Sequence, residues 1–263
     1  LRAVIRVSGK HHAPDGRTLF SYTMRVHAYA GQPYLRVQHS FGNDEGKNEF
    51  TLIKNLTMRL SLAAVGQPQW SMEGRSGKLR DGEKAELHQH TDNYYSLIPA
   101  SASGRRASGW AKWSDGAHDV TLVLRNFWQN YPKDLVVSSQ GNELGIGPTV
   151  KKNEYAEAQG TVDEHRLYYY LQDGFYKFRQ GVTKTHDIWL EVQESGSGKA
   201  ATVLSQHSPF IASASAEWYA ASNAFNVLAV PKQTGILGQY DTSFERSFKR
   251  YLNNRETNRE YGM

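Results

Sequence analysis

The sequence predicts a mainly β protein, an antiparallel β-sandwich with C-terminal helices. Three observations carry this. Apolar residues alternate with polar ones at period two through most of the first 200 positions, as half-buried strands require. Turn chemistry separates these runs at sandwich-like spacing. The period then changes, and residues three and four apart become the apolar set near the C-terminus.

Leu1 to Val7 sets Leu1, Ala3, Ile5 and Val7 against Arg2 and Arg6, the pattern of a half-buried strand. Pro14-Asp15-Gly16 is a turn in which Pro presets φ and Gly accepts a positive one. Leu19 to Ala30 alternates Phe20, Tyr22, Met24, Val26 and Ala28 with Thr23, Arg25, His27 and Tyr29. After Gly31-Gln32-Pro33, Tyr34 to Phe41 turns Leu35, Val37 and Phe41 inward, and Leu56, Met58, Leu60 and Leu62 mark a fourth strand. Ala64 to Glu86 reads as loop with short strands, Ser101 to Ser108 as a mobile loop, and Asn142 to Asn153 as a surface excursion. Strands are expected from Trp110 to Trp113, at Val120, from Arg166 to Leu171 with three successive tyrosines, and from Thr185 to Val192. Ser213 to Ala221 is Ala-rich and helical. Tyr240 to Tyr261 is an amphipathic helix carrying Phe244, Phe248, Tyr251 and Leu252, with Glu245 and Lys249 as an i,i+4 pair.

A chain of 263 residues can bury a full core. None of its apolar runs reaches the roughly 18 residues of a membrane span, so no membrane association is expected. It opens at Leu1 inside a strand pattern, as a mature or trimmed chain does. The absence of cysteine excludes disulfides and thiolate metal sites. Net charge is +5 and mean hydropathy −0.64, with the cations scattered. Such a balance favours anionic partners. Charge alone does not separate nucleic acid from acidic polysaccharide; no recognised nucleic-acid-binding motif is present, and nucleic acid is not the partner expected.

The chemistry concentrates between Val120 and Val192. Behind the strand Val120 to Leu124 stand Arg125, Asn126, Trp128, Gln129, Tyr131 and Lys133, with Pro132 stopping the strand. Lys184 and His186 follow on a later strand. Aromatics suited to stacking on a sugar ring sit beside cations and amides suited to a carboxylate. His88, His90 and Asp92 share one strand face and offer a weak divalent-metal set; otherwise no cofactor is expected.

These residues also carry a family resemblance. Leu1 to Val7 (LRAVIRV), Tyr22 to Tyr34 and Arg36 to His39 resemble the opening of a carbohydrate-active sandwich. Asn126 to Lys133 (NFWQNYPK) and Gly181 to His186 (GVTKTH) are similar to motifs of polysaccharide lyases of the exo-rhamnogalacturonan lyase type. Those enzymes join a β-sandwich to an (α/α) toroid, and Asn258 to Met263 resembles the entry to it. The resemblance implies a sandwich over 1–204 and a helical extension over 205–263 that starts the toroid. The rest of that helical domain, absent here, is the partner expected within the parent chain. It also implies a secreted or periplasmic location.

A lyase of this kind neutralises the C6 carboxylate of a uronate, removes the C5 proton and protonates the leaving oxygen. By residue type, His186 or Tyr131 is expected as base. Lys133, Lys184 or Arg125, with Asn126, would hold the carboxylate, and Trp128 would be the stacking platform. His186 shares its strand face with Ile188 and Leu190 and so reads equally as a core histidine; Tyr131 reads also as packing for its turn. Acids are dispersed and none lies within the Trp128 motif, which argues for elimination over the two-carboxylate chemistry of hydrolysis. The alternative is a non-catalytic domain that binds acidic polysaccharide.

Overall fold

The computed structural model describes residues 1–12, 15–46, 48–151, 169–170, 174–197, 201–207, 211–231 and 234–261. Among them are seventeen strands, every named pair antiparallel. The large sheet runs β1 (Arg2–His12), β2 (Thr18–Tyr29), β3 (Tyr34–Gly42), β17 (Thr183–Glu194), β12 (His118–Leu124), β11 (Trp110–Ser114), β6 (Gln69–Met72) and β7 (Arg75–Lys78). A six-stranded sheet runs β10 (Ala102–Gly104), β9 (Tyr94–Ile98), β8 (Lys84–Thr91), β13 (Lys133–Ser138), β14 (Gly141–Gly147) and β5 (Leu56–Ser61). A small third sheet holds β15 (Tyr169–Tyr170), β16 (Tyr176–Arg179) and β4 (Phe50–Ile53).

The core is the seam between the sheets. The large sheet contributes Phe20, Phe41, Trp70, Trp113, Val120, Leu122, Leu124 and Ile188; the second contributes Leu87, Leu97, Leu135, Val137 and Leu144. Period-two alternation produces this, since only every second side chain of a strand faces the partner sheet. Phe178 of the small sheet joins them, its ring 5.2 Å from those of Phe20 and Phe41.

The chain divides into a unit of Leu1–Ser208 with Tyr261–Met263, and a unit of Pro209–Glu260. The second unit contains α1 (Ala216–Ser222) and α2 (Gly235–Thr257). Ser215 caps α1 by accepting a hydrogen bond from Trp218 N. Helix α2 starts five residues before the expected Tyr240 and ends at Thr257, short of the expected Tyr261. Its Glu245–Lys249 pair forms at 3.7 Å, and Phe244, Phe248 and Tyr251 are exposed.

Three expectations need correction. Strand β1 is exposed on both faces, not half-buried, because it is the edge strand and the second sheet does not cover it. The expected excursion after Asn142 begins as β14, a buried strand between β13 and β5. Its glycines admit close packing, not a loop: a Cβ on Gly145 would stand 2.9 Å from Asp134 Cβ. The segment read as a mobile loop at Ser101 contains β10, and Ala107 is fully buried. Pro14, Tyr168 and Asn153 lie outside the described residues.

One glycine ties the end of β12 to its neighbours. Gly109 has φ +78°, and a Cβ there would fall 2.2 Å from Phe127 Cβ and 2.9 Å from the Leu124 carbonyl oxygen. Its own carbonyl accepts the Leu124 N–H at 2.8 Å. Gly109→Ala is expected to cost roughly 2 kcal/mol or more through backbone strain and overpacking, read as a lowered urea midpoint at unchanged m-value.

Candidate functional site

Between β12 and β13 the chain crosses from the large sheet to the second one, and this crossing builds the candidate site. Leaving β12, Arg125 N donates to Asp187 O at 3.0 Å. Asn126 then takes the left-handed conformation, φ 58°, which Asn tolerates better than most residues. A short 3₁₀ turn, Trp128–Asn130, follows. Asn130 closes it by donating both its backbone N–H (3.1 Å) and its side-chain Nδ2 (2.8 Å) to the Asn126 carbonyl. Phe127 plugs the core beneath, leaving Trp128 half-buried above.

Lys133 opens β13 on the inward side, in step with Leu135 and Val137, and is completely buried. Its Nζ donates to Pro132 O at 3.2 Å. From the large sheet, the inward residues of β17 are Lys184, His186 and Ile188. His186 pairs in register with His39 of β3 and lies parallel to the Phe41 ring, centroids 6.1 Å apart. Lys184 Nζ donates to Asn130 Oδ1, linking the strand to the crossing. Lys133, Lys184, His186 and His39 thus form one cationic-type cluster at the seam.

Burial dominates its electrostatics. It pushes the Lys133 amine well below its usual range, with Lys184 adding in the same direction and Asp134 opposing. His186 is held well below 6.5 by burial and then by Lys133, Lys184 and His39. His39 is pushed down to about 4 by burial and by His11. Lys184 is lowered by burial alone. A charged form is costly here, so the imidazoles stay neutral. Both His186 ring nitrogens are buried without a hydrogen-bond partner among the described residues. A neutral imidazole beside a depressed amine has proton-transfer character, but His186 and Lys133 are only 3% and 0% exposed.

The other expected residues divide. Tyr131 is fully buried and packs the crossing. The Trp128 ring is already engaged: the Arg106 guanidinium lies 3.9 Å from its centroid and Tyr261 packs edge-on at 4.8 Å. Gln89, opposite Lys133, sets this up by accepting from Ala107 N and donating to Arg105 O, which fixes the segment carrying Arg106. Asn126 is exposed and shapes the turn. Arg125 does not join Lys133 and Lys184. It points to the opposite face of the large sheet, 3.7 Å from Asp187, whose carboxylate Arg36 grips with two hydrogen bonds of 2.7 and 2.8 Å.

His88 and His90 do share a face of β8, their rings 4.0 Å apart. His88 Nδ1 donates to Asp134 Oδ1. The donor atoms that converge belong to Glu86, His88 and Asp134, within 4.8 Å of one another; the carboxylate of Asp92 is not in that group. Sequence reasoning missed His39, Asn130, Arg106, Asp187 and Arg36, whose roles depend on cross-strand register. The quoted Arg36 to His39 segment held two of them, with nothing local to mark either.

A family model described as the PcRGLX-like protein central beta sandwich domain matches residues 1–68, which span β1 to β5. That match supports a relationship to rhamnogalacturonan-lyase-like proteins. No curated protein matches the chain. Among solved structures, the chain is similar to a galactose mutarotase related enzyme from Lactobacillus acidophilus, with 11% identity over 75% of this chain and 70% of that one, TM-score 0.36. A galactose mutarotase-like protein from Lactobacillus casei gives 12% identity over 72% and 70%, TM-score 0.36.

The buried imidazoles set a pH dependence. Their folded pKa values lie below the unfolded 6.5, so on acidification the unfolded chain takes up protons that the folded chain refuses. This contribution to stability is complete above 6.5 and is lost progressively towards about 4, where His39 itself protonates. The urea midpoint is expected to fall steadily over that window. His186→Leu should flatten the slope, and an unchanged slope would rule out a neutral buried His186.

Proposed function

We propose that this chain is the β-sandwich of a polysaccharide-lyase-related protein handling uronate-containing polysaccharide, and that the sandwich holds the polymer without cleaving it. The observation that carries this is the burial of the three groups able to remove or deliver a proton. His186, Lys133 and Tyr131 are all closed to a polymeric substrate, and general acid–base catalysis needs the base within hydrogen-bond reach of its proton. The match to a central sandwich domain supports the relationship to polysaccharide lyases, and the excess of positive charge supports an acidic polymer as the ligand. In this reading elimination belongs to the helical domain implied by the resemblance.

One observation favours the second reading, β-elimination by the sandwich itself. Lys184 is only partly buried and bonds Asn130 at the rim of the cluster, so a uronate carboxylate there would approach Lys133 and His186. The two readings separate in one experiment. The chain, incubated with rhamnogalacturonan and with polygalacturonate, is expected to bind the polymer in affinity electrophoresis, more weakly as salt screens the charges. No ultraviolet absorbance of unsaturated uronate should develop. Growth of that absorbance, abolished by His186→Asn, would replace the binding reading with the lyase one.

A further inference from the structure

The outward face of the large sheet carries a second arrangement, separate from the seam. Alternation sends Tyr29 of β2, Tyr34 and Arg36 of β3, and Asp187 and Trp189 of β17 away from the second sheet. Register sets Trp189 opposite Arg36 and places Tyr34 two pairs along, opposite Glu191 and so on the same face. The rings form a line: Tyr29 to Tyr34 is 5.5 Å between centroids and Tyr34 to Trp189 is 5.8 Å. The Arg36 guanidinium lies 5.4 Å from the Trp189 centroid while forking onto Asp187. Arg125 reaches the same carboxylate at 3.7 Å. Next along the face, the 3₁₀ segment Thr202–His207 packs over β12 and β17, where Val203 N donates to Glu191. That segment buries Thr121 and Glu191 but leaves Tyr29, Tyr34 and Trp189 half-buried.

We infer that Tyr29, Tyr34 and Trp189 form a glycan-binding ledge, and that Arg125 beside Asp187 selects chains carrying a uronate. The outward face of an antiparallel sheet ordinarily carries scattered polar residues, whereas three adjoining aromatics make an amphipathic strip of the kind that marks a binding surface. The C–H faces of pyranose rings stack on such rings, and hydroxyls pair with the guanidinium and carboxylate edges between them. Two guanidinium groups share the single Asp187 carboxylate, so one positive charge is left over. Arg36 spends its fork on Asp187 at hydrogen-bond distance; Arg125, longer at 3.7 Å and about a third exposed, is the cation available to a carboxylate. This inference rests on the proposed polysaccharide-binding role and places it on a face that the seam cluster does not touch.

The test is a titration of the chain with a galacturonate oligosaccharide and with its carboxyl-reduced, neutral counterpart, by calorimetry. Trp189→Ala and Tyr34→Ala are each expected to weaken both ligands by about tenfold. Tyr34→Phe keeps the ring and should bind as the wild type does. Arg125→Ala should erase the preference for the charged ligand and leave the neutral one unaffected. Tyr34 stands at the end of its strand, so Tyr34→Ala remains informative if Trp189→Ala misfolds by circular dichroism. Wild-type binding with undiminished affinity in both alanine variants would overturn the ledge and spare the binding role. Failure of the wild type to bind either ligand would overturn both.

Discussion

A pleated strand cannot turn two consecutive side chains to the same side, and strand β17 makes that constraint productive. It lies between β3 and β12, with the second sheet on one side and the outward face on the other. Lys184, His186 and Ile188 therefore enter the seam, while Asp187 and Trp189 face away. A slip of one residue in its register would put Asp187 among the buried bases and His186 on the surface. The nine pairs with β3, from Thr183–Gly42 to Glu191–Tyr34, hold that register.

The two faces handle charge by different physics. In the seam, low polarisability penalises the ionised forms, and Lys133, His186 and His39 respond by binding protons less readily. On the outward face, solvent is near, and the guanidinium of Arg36 keeps its charge by pairing with Asp187, which raises its pKa further. The same charged residue types are thus switched towards neutrality on one side and retained as ions on the other. For the proposed polyanionic ligand, the second situation, where charge persists, is the more attractive of the two.

This division underlies the proposal of a sandwich that presents polymer without reacting with it. The crossing from β12 to β13 is filled by Phe127, Tyr131 and Lys133 and covered by Trp128, itself paired with Arg106 and Tyr261. Hydrogen bonds from Asn130 to Asn126 and from Lys184 to Asn130 close it further. Interiors packed this way yield little space to a sugar. The family match over residues 1–68 supports a lyase-related sandwich; the closure of the crossing is a separate observation and is what the non-cleaving proposal rests on.

Local pattern alone determined the alternating strands, the pairing of sheet face with apolar residue, the change of period before α1 and α2, and the concentration of cations and aromatics after Leu124. Each is set by neighbours within a few positions, where pleat and helical repeat act. Tertiary structure decided the rest. Trp128 and Phe127 differ in burial because the crossing turns at Asn126, and Arg125 parts from Lys133 because one precedes the crossing and the other follows it. Strand β1 alternates as a half-buried strand should, yet lies exposed because coverage depends on where the second sheet ends. The β3 neighbours of His186 and Trp189 come from a segment some 150 positions away, brought there by backbone register, and register is a property of paired strands that no single stretch of sequence contains.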